Sequence, residues 1–134
     1  MLLPVVMLLR RADAAEVIGS ALAAKAHGVG FRQIASGLGR PTETVRGWLR
    51  RFAGRIESVR SVFTRLLPML DPDPVMPGPE ATGWADAIAV IRAVARAAAA
   101  RFTLGTVTWP QVAVTVSSGR LLAPGWPEKT INTS

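Results

Sequence analysis

The chain has 134 residues, 49% of them apolar, enough to bury the core of one domain or of one domain with an appended helical piece. It has no cysteine and a single histidine, which excludes a disulfide framework and a thiolate metal site and makes a zinc site unexpected. The net charge is +7, and a basic balance of this size attracts polyanions such as DNA or an anionic membrane surface.

Residues 1–9, MLLPVVMLL, form an apolar run with Pro4 inside it. No basic residue precedes the run, the pair Arg10-Arg11 follows it, and it is too short to span a bilayer. An extended or irregular arm packed on the domain is expected, or the trailing end of a longer element. The first helix is expected over 13–26, with Asp13 as its cap and Glu16 completing a capping-box pattern. Val17, Ile18, Ala21, Leu22 and Ala24 would supply its buried side, and Gly28 and Gly30 break it. His27 falls at its C-terminal end, where it suits the helix dipole.

The stretch 31–52, FRQIASGLGRPTETVRGWLRRF, carries the strongest pattern. Ile34, Ala35 and Leu38 share a face of a helix over 31–38. Gly39-Arg40-Pro41 reads as a tight turn, because glycine takes the positive φ that ends a helix and proline has the φ that starts one. A second helix is expected over 41–52, with Val45, Trp48, Leu49 and Phe52 at i, i+3, i+4 and i+7 as one apolar stripe. Ala35 is small enough for close approach, with Val45 and Trp48 plugging the second helix onto the first. Arg46, Arg50 and Arg51 point elsewhere. Between residues 31 and 65 eight arginines face only Glu43 and Glu57, so most of the net charge is concentrated here.

Apolar spacing continues through Ile56, Val59, Phe63, Leu66, Leu67 and Leu70, predicting a helix over 55–68 that ends near Pro68. Its other side carries Arg55, Arg60 and Arg65, which fit a solvated face or phosphate contact equally well. Residues 71–83, DPDPVMPGPEATG, read as a proline-rich linker and a domain boundary, with Asp71 and Asp73 as helix stops. This divides the chain into 1–70, expected to fold and bind alone, the linker 71–83, and a helical region 84–134. An alanine-rich helix is expected over 84–102, its buried side formed by Ile88, Ile91, Val94, Ala95 and Ala98. Asp86, Arg92, Arg96 and Arg101 exclude a transmembrane reading of it. Thr108 reads as the cap of a short helix ending at Gly119, although VAVTV also suits a strand by propensity. The remainder, LLAPGWPEKTINTS, reads as a mostly irregular tail.

The fold class expected is therefore all-α: a three-helix helix-turn-helix of homeodomain-like type, then a long helix and a small C-terminal helical segment. The spacing over 31–52 resembles the helix-turn-helix of bacterial regulators and of transposase and recombinase DNA-binding domains. With its flanks, LLPVVMLLRRAD (2–13), GFRQIASGLGRPTETVRGWLRRF (30–52) and the helix leading into LDPDP (70–74), the chain resembles a bacterial family of unassigned function. In that family a cysteine-rich zinc ribbon precedes the helix-turn-helix, often near mobile elements. The ribbon has no counterpart here, which suggests a shortened copy or a chain that begins after it.

The resemblance implies double-stranded DNA as partner, with the second helix in the major groove, in transcription regulation or a transposon-associated role. Expected contacts are Arg40, Thr42, Glu43, Thr44, Arg46, Arg50, Arg51 and Arg55. Arg46 or Arg50 would pair with guanine and Glu43 would accept from cytosine N4. A homodimer would suit such a reader, and its place would be the cytoplasm, on the nucleoid. The alternative is a protein-interaction module, a truncated remnant, anchored by Trp84, Trp109 and Trp126, for which core packing is the competing role. No catalytic constellation and no phosphate-cradling glycine loop is visible, so neither enzymatic activity nor a cofactor is expected, and no membrane partner.

Overall fold

The computed structural model describes residues 3–122 and 126, apart from 75, 81, 104, 106 and 118, with side chains from Ala14 onward. It is all-α: α1 (Leu3–Ala26), α2 (Phe31–Leu38), α3 (Thr42–Ala53), α4 (Ile56–Leu70), α5 (Gly83–Arg101) and α6 (Trp109–Ser117). No strand occurs among the described residues. The VAVTV segment is helical, as its apolar spacing required, and most of the tail expected to be irregular lies outside the described residues.

The turns follow from glycine chemistry and proline placement. At the end of α1, Gly28 takes φ +88°, and the amides of Gly28 and Val29 donate back to the carbonyls of Lys25 and Ala24. The same paired closure recurs after α2. Gly39 takes φ +65°, with Gly39 N–H on Ser36 and Arg40 N–H on Ala35. Each satisfies two carbonyls that a helix end leaves open. Pro41 caps α3 from an extended conformation, φ −60° and ψ 141°, one position earlier than the first helical residue expected for it. At the start of α6 a complete capping box forms: Thr108 Oγ1 accepts from Gln111 N–H and Gln111 Oε1 accepts from Thr108 N–H.

Three expectations are corrected. Residues 3–9 are not an irregular arm but the first turns of α1. Pro4 sits in the opening turn, where its missing N–H costs nothing, and no further proline interrupts the run to Ala26. Asp13 consequently lies mid-helix with no terminus to cap, and the Glu16 carboxylate instead accepts from the Thr108 hydroxyl at 2.6 Å. Pro68 lies inside α4, which continues to Leu70. A proline in a last turn removes one hydrogen bond from a helix that is about to end, and Asp71 then accepts from Asp73 N–H in an Asx turn.

α1 packs against α2, α3, α5 and α6, while α5 lies along α4 and also meets α6. The proline-rich linker does not divide the buried core. One cluster runs from Ala21 and Leu22 through Val45, Phe52, Val59 and Phe63 into Ile88, Ile91, Val94 and Val112. Trp84 joins its halves. Its indole N–H donates to the Leu22 carbonyl at 2.8 Å, and its ring meets Phe52 edge-on, with centroids 4.9 Å apart at 63°. Phe52 is fully buried, whereas Trp48, expected as the plug between helices, is only half-buried. Trp109 and Trp126 also rest half-buried against the cluster, and Leu121 is buried within it.

α1 and α6 approach so closely at Gly19 that a Cβ there would overlap the Pro110 ring. That accounts for a glycine in mid-helix, where it costs about 1 kcal/mol relative to alanine.

Phe52→Ala should destabilise the fold by about 3–5 kcal/mol, and Trp48→Ala by roughly half as much because its ring already meets water. Denaturant unfolding of both variants checks the order. Gly19→Ala should lower the melting temperature, because overpacking at about 1–3 kcal/mol outweighs the helix-propensity gain. A rise would mean that α6 yields. A fragment of residues 1–70 lacks Trp84 and the α5 surface over α4, so it should lose cooperative melting. A sharp transition in that fragment would show that α1 to α4 form a core by themselves.

Candidate nucleic-acid interface

α3 buries Val45, Leu49 and Phe52 and half-buries Trp48. By the 3.6-residue repeat, the opposite stripe consists of Glu43, Gly47 and Arg50, with Arg46 flanking it on one side and Arg51 on the other. Arg40, Thr42, Glu43, Thr44, Arg46, Arg50 and Arg51, seven of the eight residues singled out from the sequence, are all exposed, with Thr42 and Thr44 on opposite flanks of the stripe. Arg55 is the exception. It is half-buried in the turn between α3 and α4, and its Nη1 donates to the Arg51 carbonyl at 3.1 Å, closing the C-terminal end of α3.

The arginines differ in how they are held. Arg46 reaches the Glu43 carboxylate at 3.9 Å and lies 5.9 Å from the centre of the Phe31 ring. The Arg32 guanidinium lies 5.6 Å from the same ring. Phe31, at the start of α2, therefore draws a cation from each helix of the pair toward one aromatic ring. Arg50 has no ion-pair partner among the described residues. On α4, Arg60 is bound to Glu57 at 3.0 Å and Arg65 donates to the Ser61 carbonyl, which ties both to their own helix.

Two contributors were not among the residues chosen from the sequence. Arg32 was overlooked because it lies on the first helix of the pair, although an arginine beside an aromatic at a helix start was a usable signal. Gly47 was overlooked because it carries no side chain. Gly47 is half-buried, and a Cβ there would meet the Arg51 guanidinium at 3.8 Å, so that long, exposed side chain is what covers the α3 backbone in the middle of the stripe.

The first turn of α3 has a further property. Pro41 supplies no side-chain cap, so its opening amides receive no side-chain hydrogen bond from that position. The positive end of the helix dipole, Arg40, Thr42 and Thr44 are together there, a chemistry suited to an anionic oxygen.

No protein-family model matches the chain, and no curated protein or solved structure matches it. Among the described residues no helix is long and apolar enough to cross a membrane. The tryptophans considered as anchors for a protein partner turn inward: Trp84 onto Phe52 and Leu22, and Trp109 and Trp126 against the core cluster.

Proposed function

We propose that the protein binds double-stranded DNA by laying α3 in the major groove, with α2 braced across it as the first helix of a homeodomain-like helix-turn-helix. The observation that carries this reading is the exposed face of α3. Arg40, Arg46 and Arg51 surround a stripe that itself carries Arg50 and whose middle residue has no side chain, above a fully buried Val45 and Phe52. A solvated helix face does not need such concentration of one charge sign, whereas a phosphate backbone rewards it through counterion release.

Arg50 and Glu43 occupy the outward stripe and would meet base edges, Arg50 as a fork on guanine and Glu43 as acceptor for cytosine N4. Arg46 lies beside them and can leave its long ion pair with Glu43 for a base or a phosphate. Arg40, Thr42 and Thr44 at the start of α3, with Arg32 and Arg51, would hold the backbone and set the register. Arg55 contributes by fixing the end of α3. A role as transcription regulator or transposon-associated binder, on the bacterial nucleoid and as a homodimer, fits such a reader and the family that the sequence resembles.

Selection from random duplexes should enrich a motif, and a symmetric one would report a dimer. On that duplex Arg50→Ala should cost about 1–3 kcal/mol and flatten the preference at one base pair. Arg40→Ala should weaken all duplexes about equally and lower the salt slope by roughly one. If titrations at several salt concentrations give both variants the same profile, α3 is an electrostatic patch that reads no sequence. If neither variant changes binding, DNA is not the partner of this face.

A further inference from the structure

α5 runs through the middle of the molecule, and between Ala87 and Arg96 only Ala89, Arg92 and Arg96 escape burial. With Ala85 they form one stripe, at steps of four, three and four. This stripe is one wall of a groove of about 390 Å³. The end of α1 and the adjoining His27 provide the facing wall, and Pro77, Gly78 and Glu80 of the linker close the third side. The hollow exists because the side chains at its base are short: Ala23 and Ala26 from α1, Ala85 and Ala89 from α5. Ile88, 2% exposed, seals the floor.

The charges around this groove are unbalanced. Arg92 and Arg96 are one helical turn apart, where like charges repel. Neither has an ion-pair partner among the described residues. The nearest acid on α5, Asp86, is engaged with the linker, its Oδ1 accepting from Glu80 N–H at 2.6 Å. Glu80 is the one carboxylate lining the groove.

We infer that this groove binds a small organic anion, a phosphate or carboxylate carried on an apolar body. The guanidinium forks of Arg92 and Arg96 would grip the oxyanion, with His27 available as a further donor. The alanine floor would take the apolar body, and the volume lies within the range of small-molecule sites, about 300–1,000 Å³. A duplex could place a phosphate on the rim but has no apolar group to set on the alanines. This site stands apart from the α3 face and does not depend on that face reading DNA.

The probes are phenyl phosphate and phenylacetate, with inorganic phosphate and phenol as the separate halves, titrated into the full chain by calorimetry and followed by amide shifts. At least one of the two probes should bind about tenfold more tightly than inorganic phosphate, with shifts centred on Gly78, Ala85 and Ala89. Arg92→Gln combined with Arg96→Gln should remove about tenfold of that affinity. Ala89→Leu keeps both charges and fills the floor, so it should bring the probe down to the level of inorganic phosphate while leaving inorganic phosphate unchanged. Thermal melts establish that each variant folds, and if the double variant does not, Ala89→Leu alone decides. Arg50→Ala should bind the probe as the parent does, so failure of DNA reading and failure of this site are separable. Equal affinity for probe and inorganic phosphate overturns the inference. So does indifference to Ala89→Leu, and so do shifts that map to α3.

Discussion

The structure depends on the burial of α5. An alanine-rich helix with apolar residues on almost every side has no stable place at a surface, and here it is covered by α4, α1 and α6. Trp84 at its start fixes where it sits. The ring supplies apolar area against Phe52, and the indole N–H is satisfied by a carbonyl of α1, so one side chain sets both the depth and the position of the helix. The linker runs outside this arrangement, and its Asp73 and Glu80 amides donate to the carboxylates of Asp71 and Asp86.

The basic face gains its definition from that core. α3 is held through Val45, Leu49 and Phe52 from beneath, through the Gly39 turn at one end and through Arg55 at the other. Its arginines therefore project from a helix whose rotation about its own axis is fixed. Long charged side chains lose less on binding when the backbone beneath them is already in place. At Gly47 the helix backbone is covered by the Arg51 guanidinium and by no side chain of its own.

Much of this was legible in the sequence. The spacing of Ile34, Ala35, Val45, Leu49 and Phe52 placed α2 and α3, and Gly39 marked the turn, because those signals are local. Thr108 announced α6 for the same reason. What the sequence hid depends on contacts between distant residues. Glu16 and Asp13 have capping-box spacing, yet a helix that starts at Leu3 overrides it, and Glu16 meets Thr108 from the other end of the chain. Trp48 and Trp84 have equal claims on composition, and only the packing of α5 decides which one completes the core. The proline content of 71–83 correctly indicated irregular backbone but carried no information about whether the helices on either side share apolar surface. Of the eight residues chosen, the exposure of seven was readable from helical phase, whereas the half-burial of Arg55 follows from its bond to the Arg51 carbonyl across the turn at Gly54.

The bond between Thr108 and Glu16 spans 92 positions, and that between Trp84 and Leu22 spans 62. A ribosome delivers this chain from its N-terminus, so α1 to α4 emerge before the residues that cover them. For that interval Phe52, Val59 and Phe63 lack the apolar partners that bury them in the finished molecule, and the arginine-bearing helices are already outside the exit tunnel. Completion of the core thus waits for α5 and α6 to be made. A nascent chain of this kind would be exposed to hydrophobic association, and to premature encounters with polyanions, until α5 is released and seats Trp84.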